Sequence, residues 1–167
     1  MSAHLTKAQF PARTDRLKGR VALILGAGTS APGVSIGKAS SIAMACAGAS
    51  VAALDFNLAA AQEVVAEIKS LDQHAIAYQA DVANFDAMQT AIERVMQDFG
   101  RIDILQINAG IGRVGGPAET SLDDWDRIQK VNVESMLIAA KLVAPIMVNQ
   151  GSGSIIGVSS VAGVRYL

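Results

Sequence analysis

Short apolar runs alternate with longer amphipathic stretches along most of this chain, and that alternation constrains the fold more than any other feature. RVALIL (20–25), SVAALD (50–55), HAIAYQAD (74–81), RIDILQI (101–107) and GSIIGVS (153–159) each have the length and texture of a strand. Between the first two, SIGKASSIAMACAGA (35–49) is a helical stretch rich in small residues, stopped by Gly48. Asn57 opens a helix through AAAQEVVAEIKSL, with Val64, Val65, Ile68 and Leu71 on one face. A third helix, DAMQTAIERVMQDFG (86–100), ends at Gly100. Ser121 then caps helical texture that runs to about Asn149, with a break expected near Val131. Strands separated by amphipathic helices imply βαβ units. The expected fold class is α/β, a doubly wound parallel sheet of about five strands with helices on both faces.

A length of 167 residues suits one domain with a real core, and an apolar content of 51% with 17% charged residues reads as globular. The net charge of −1 and an aromatic content of 4% give no footing for nucleic acid or an anionic membrane. Cys46 is the single cysteine, which excludes an intrachain disulfide or a cysteine-built zinc site; its apolar helical setting predicts a buried thiol. His4 and His74 are far apart and lack acidic neighbours at ligand spacing, so no metal is expected. The polar leader, residues 1–17, has no apolar core of a signal peptide, and no run approaches the ~18 consecutive apolar residues of a membrane span. The expectation is a soluble, cytoplasmic protein.

The first strand runs into GAGTSAPGVSIGKA (26–39). In a doubly wound sheet, this turn is where a dinucleotide pyrophosphate sits: glycines let the backbone approach it, and the helix N-terminus presents N–H groups. Gly26, Gly28, Gly33 and Gly37 supply such a turn, although simple G-x-G-x-x-G spacing fails because Ala31 stands at the third position. A glycine-rich structural loop is the competing reading. Asp55 ends the second strand 18 residues after Gly37, near the ~20-residue offset of a ribose-binding acid. A carboxylate there accepts from ribose hydroxyls and repels a 2′-phosphate, favouring NAD over NADP; a solvated turn aspartate is the alternative.

From this turn onward the chain resembles a classical short-chain dehydrogenase/reductase. GVSIGKASSIAMACAGASVAALD matches that family's first helix and second strand without a gap, with Ser35 in place of its middle glycine, followed by Ile36 and Gly37. The turn upstream is longer than the family's usual TGxxxGxG, and Leu25 replaces the threonine before Gly26. Asp81-Val82 resembles the adenine-contacting pair after the third strand, and Asn108-Ala109-Gly110 falls on the family's NAG, with Ile107 replacing the preceding asparagine. DDWDRIQKVNVESM places the family's catalytic asparagine at Asn132, and SIIGVSSVAG places its catalytic serine at Ser160. The resemblance spans residues 18–165 and implies a Rossmann fold holding about five of the family's seven strands, with 18–167 a dinucleotide-binding domain that lacks its C-terminal part.

The resemblance also implies a chemistry: hydride transfer between NAD and an alcohol or ketone, with NADP disfavoured by Asp55. In the family, Ser160's counterpart orients the substrate oxygen and Asn132's holds a water. A tyrosine paired with a lysine moves the proton, the tyrosine lying about thirteen residues past the serine in Tyr-x-x-x-Lys. From Ser160 that position falls beyond Leu167; Tyr166 is too near, and the last lysine is Lys141. The expectation is therefore an oxidoreductase fragment, inactive as it stands, whose complete form is a homo-oligomer acting on a small-molecule alcohol or ketone. The alternative is a non-catalytic NAD-binding module. A nucleotide-sugar-type extended relative fits less well, because its glycine turn is compact.

Overall fold

Val21–Leu25 is buried at every position, which only the middle of a sheet covered on both faces can provide; it forms β1. The computed structural model describes residues 12–29 and 33–161. Along these, β1 is followed by α1 (Ile36–Cys46), β2 (Ser50–Asp55), α2 (Leu58–Lys69), β3 (Ala75–Gln79) and α3 (Phe85–Phe99). Then come β4 (Ile104–Ile107), α4 (Leu122–Gln129), a π-helical turn (Lys130–Glu134), α5 (Ser135–Gln150) and β5 (Ser154–Gly157). All ladders are parallel and the strand order is β3-β2-β1-β4-β5. This is the doubly wound sheet expected, with β3, β4 and β5 shorter than the apolar runs suggested. Tyr166, His4 and the 162–163 end of the Ser-Ser-Val-Ala-Gly match lie outside the described residues.

Each sheet face carries its own core. Ala22, Ile24, Val51 and Ala53 pack with Ile42, Ala45, Val64 and Ile68 of α1 and α2. Leu23, Leu25, Leu54 and Leu105 pack with Met88, Ile92 and Val95 of α3 and with Ile138 and Val143 of α5. Cys46 is buried in the first layer, and burial pushes its thiol pKa up. Between α1 and α2 the Lys38 ammonium meets the Glu67 carboxylate at 2.5 Å, with the Lys38 side chain almost wholly out of solvent. Removing one partner of such a pair is costly, because the other charge stays buried.

The N-terminal ends of the central strands are tied by Asp103, whose side chain is only 4% exposed. It accepts from the Val21 amide at 2.9 Å, from Arg20 Nη1 at 2.6 Å, and from Arg101 Nε and Nη2 at 2.7 and 2.6 Å. Its own carbonyl accepts from the Ser154 amide, so one residue links β1, β4 and β5. Burial alone would raise its pKa, but the two arginines and the amide outweigh it and hold the carboxyl at about 2.

The break expected near Val131 is a π turn and not an interruption, so residues 122–150 form one helical run. By length and composition this run could cross a membrane, contrary to the expectation of no such segment. Ile138, Ala139, Val143 and Met147 of α5 are buried within the domain, as in a core helix of a globular protein, while Leu122, Trp125, Val133, Leu137 and Val148 are exposed. Among the described residues β5 pairs with β4 alone, and it is exposed throughout.

Candidate functional site

A cleft of about 470 Å³ opens at the C-terminal ends of β1, β2 and β4, where the connections diverge to opposite faces of the sheet. Crevices at such switch points are where open α/β sheets bind ligands. The cleft exists because backbones come unusually close. Gly26 has φ 77°, and a Cβ on it would lie 2.8 Å from Ala109 Cα. A Cβ on Gly37 would overlap the Gly26 carbonyl oxygen, which also accepts from Asn108 Nδ2 at 2.9 Å. A Cβ on Gly28 would stand 2.6 Å from Ala60 Cβ and 2.9 Å from Asp55 Oδ2. These glycines let the turn, the start of α1 and the segment after β4 pack closer than any side chain would allow.

Ser35 is the N-cap of α1: its Oγ accepts from the Lys38 amide at 3.1 Å and donates to the Gly28 carbonyl at 2.8 Å. Thr29 Oγ1 donates to the same hydroxyl at 3.2 Å. The long turn is thereby fastened to the helix start on both sides of residues 30–32. Ser35 lines the cleft, whereas Ile36 is exposed and Gly37 lies beneath Gly26; neither of these two lines it.

Asp55 stands at the cleft edge with both oxygens engaged. Oδ2 accepts from the Gly28 amide at 2.8 Å and Oδ1 from the Asn57 amide at 2.9 Å. Phe56, 68% exposed, borders the cleft beside it. After the neighbouring strand β3, Asp81 Oδ1 accepts from the Ala83 amide at 3.0 Å, and Oδ2 meets Arg127 Nη1 at 3.1 Å. Val82 and Val131 are buried beneath them, and Ala109, Gly110 and Ile111 complete the lining beyond β4.

Asn132 sits within the π turn and reads both backbone groups of one residue. Its Oδ1 accepts from the Ile111 amide at 2.8 Å and its Nδ2 donates to the Ile111 carbonyl at 2.9 Å. Ser160 follows β5, is exposed, and is not among the residues lining the cleft. The structure thus gathers Gly26, Ser35, Asp55, Asp81, Val82, Asn108, Ala109 and Gly110 around one opening, with Asn132 one residue behind it. Sequence reasoning did not single out Arg127, Thr29 or Phe56. Only Phe56 had a signal, its position directly after Asp55. Among the described residues no group of three or more His, Cys, Asp or Glu is placed to hold a metal.

Comparisons with known proteins converge on one family. A family model described as short chain dehydrogenase matches residues 20–167. The 3-oxoacyl-[acyl-carrier-protein] reductase FabG of Thermotoga maritima is 36% identical over 149 residues, 89% of this chain and 58% of that protein. The D-threitol dehydrogenase of Mycolicibacterium smegmatis is 35% identical, over 91% of this chain and 56% of its own length. Among solved structures, a 7 alpha-hydroxysteroid dehydrogenase complexed with NADH and 7-oxo glycochenodeoxycholic acid superposes with a TM-score of 0.83 at 36% identity, covering 91% of this chain and 57% of that one. An NAD+-bound xylitol dehydrogenase gives 0.84 at 31%, over 91% and 57%. A metagenomic short-chain oxidoreductase in complex with NADP gives 0.83 at 29%, over 91% and 67%. The chain spans little more than half the length of the curated relatives it matches.

Proposed function

The chain belongs to the short-chain dehydrogenase family, and from that premise we propose that it holds the adenosine and pyrophosphate part of NAD in an oxidoreductase acting on a small alcohol or ketone. A nicotinamide dinucleotide, when bound, supplies hydride transfer. The residues present fit it: Gly26, Gly28 and Ser35 line the cleft beside the start of α1, where a pyrophosphate would meet backbone N–H groups, and the cleft is large enough for an adenosine. Asp81 is suited to accept from the adenine amino group, and Val82 to pack nearby. Asn108 fixes the Gly26 carbonyl, and Ala109 and Gly110 keep the floor low.

The observation that carries the choice of NAD is the fixed carboxylate of Asp55. Two amides hold it at the cleft edge, so its lone pairs and charge face whatever occupies the ribose position. Ribose hydroxyls would donate to it, and a 2′-phosphate would meet like charge. Asn132 and Ser160 are proposed for the reacting end, Asn132 by anchoring the Ile111 backbone and Ser160 by orienting a substrate oxygen. No Tyr-x-x-x-Lys lies between Ser160 and Leu167, so the proton-transfer step is assigned to no residue of these 167. The exposed apolar side of α4 and α5 supports a homo-oligomeric complete enzyme.

Calorimetric titration with NAD and NADP tests the reading. NAD is expected to bind at least about tenfold more tightly, and Asp55→Ala to narrow the gap. Equal affinities in the unaltered chain, or a gap unchanged by the substitution, would remove the assignment. A non-catalytic NAD-binding module is the second reading, supported by a cleft lined by residues between Gly26 and Val131.

A further inference from the structure

Five residues, 30–34, separate the two halves of the turn between β1 and α1. Gly26, Gly28 and Thr29 line the cleft on one side of them and Ser35 on the other, whereas Gly33 and Val34 do not line it. Val34 is exposed, and a Cβ on Gly33 would meet no atom within 4 Å, so the packing of the turn does not run through these two. What joins the halves is a set of hydrogen bonds across a neck. Thr29 Oγ1 donates to Ser35 Oγ at 3.2 Å and accepts from the Ser35 amide at 3.4 Å. Ser35 Oγ in turn donates to the Gly28 carbonyl at 2.8 Å and accepts from the Lys38 amide at 3.1 Å. Thr29 and Ser35 therefore stand side by side although they are 6 positions apart in the chain. With 30–34 taken out, the chain would read Leu25-Gly26-Ala27-Gly28-Thr29-Ser35-Ile36-Gly37, which has the compact spacing of TGxxxGxG.

We infer that Thr29 is a positioning residue for dinucleotide binding: its hydroxyl closes the neck of a five-residue insertion, so that Gly28 and the start of α1 keep the spacing of a turn that has no insertion. The inference rests on the dinucleotide reading above. A pyrophosphate that meets both the turn and the helix start needs the two at one separation. Five added residues give that separation a freedom which binding would have to remove. The hydrogen bonds across the neck remove it before the ligand arrives. Thr29 holds Ser35 at two points, its amide and its hydroxyl, and a valine of the same shape could hold neither. In a chain without the insertion a peptide bond joins the two residues, and the hydroxyl has nothing left to hold together.

The test is calorimetric titration with NAD of the 167-residue chain and of a shortened chain lacking residues 30–34. In the 167-residue chain, Thr29→Val should weaken NAD about tenfold, the scale of two neutral hydrogen bonds, and Thr29→Ser should stay within about twofold. The shortened chain should bind NAD within about threefold of the unaltered one, and Thr29→Val should cost it less than about twofold. Thermal melting of every variant records whether it is folded. NAD binding that Thr29→Val leaves unchanged in the 167-residue chain, or a serine as weak as the valine, would overturn the inference and leave the dinucleotide reading standing. Equal losses from Thr29→Val in both chains would overturn it as well, since the hydroxyl would then act on the ligand itself. So would a shortened chain that fails to fold or to bind NAD. No NAD binding by the unaltered chain would overturn both readings.

Discussion

Asp103→Asn tests how the sheet beneath the cleft is held. The substitution keeps the shape of the side chain and one acceptor for the Val21 amide, but removes the charge that two arginines share. A carboxyl held at about 2 against an ordinary 3.8 is worth about 2 kcal/mol at neutral pH by linkage. Arg20 and Arg101 are 47% and 42% exposed, so solvent screening lowers the expected loss to about 1–2 kcal/mol. Because the folded-state pKa is depressed, this contribution is fully present above about pH 4 and disappears as pH falls through about 2. Urea unfolding of both proteins at pH 7, 4 and 2.5 reads it directly. Other carboxylates titrate in the same window, so the informative quantity is the difference between the two proteins. It should hold from pH 7 to 4 and shrink at pH 2.5. A difference below about 0.3 kcal/mol at pH 7, or one indifferent to pH, would refute the argument that charge and not shape makes Asp103 a clamp.

Two further outcomes follow from the packing. Lys38→Met should destabilise by about 3–5 kcal/mol in urea unfolding by removing the ammonium that faces the buried Glu67 carboxylate, and adding Glu67→Leu should recover most of it; a double variant no better than the single would contradict this. Gly37→Ala should lower stability by about 1–3 kcal/mol and weaken NAD binding at least tenfold, because the new methyl must displace the Gly26 carbonyl at the turn; calorimetry and thermal melting together check it.

Much of the fold was legible because its determinants are local. RVALIL has no polar residue from Val21 to Leu25 and therefore had to be an interior strand, and Ser121 caps its helix as its position before an amphipathic run implied. Asp55 and the glycines of the first turn could be marked because the turn and the strand end lie near each other in sequence. The features missed depend on distant partners. Nothing near Lys38 in the sequence marks it as buried, and its partner Glu67 lies 29 positions away. Arg127 lies in a helix whose own pattern gives no reason to point it at Asp81. Ile36 was grouped with Ser35 and Gly37 by motif, yet a helix turns each successive side chain by about 100° and carries Ile36 out to solvent.

That same rotation gives the π turn at Lys130–Glu134 a meaning beyond its local bonding. A π turn holds one residue more than the α turn it replaces, so the helix after it is out of phase with the helix before it. Helix α4 leaves all its residues at the surface or partly so, whereas α5 turns Ile138, Ala139, Val143 and Met147 onto the sheet, and Asn132 sits at the slip itself, aimed at Ile111. Deleting a single residue between 130 and 134 would leave a continuous helix with every backbone bond available. It would also swing either the asparagine off its loop or the apolar stripe off the core. Chain length at this point works as an angular setting: the helix tolerates the shorter count, but its two ends can no longer both face their targets.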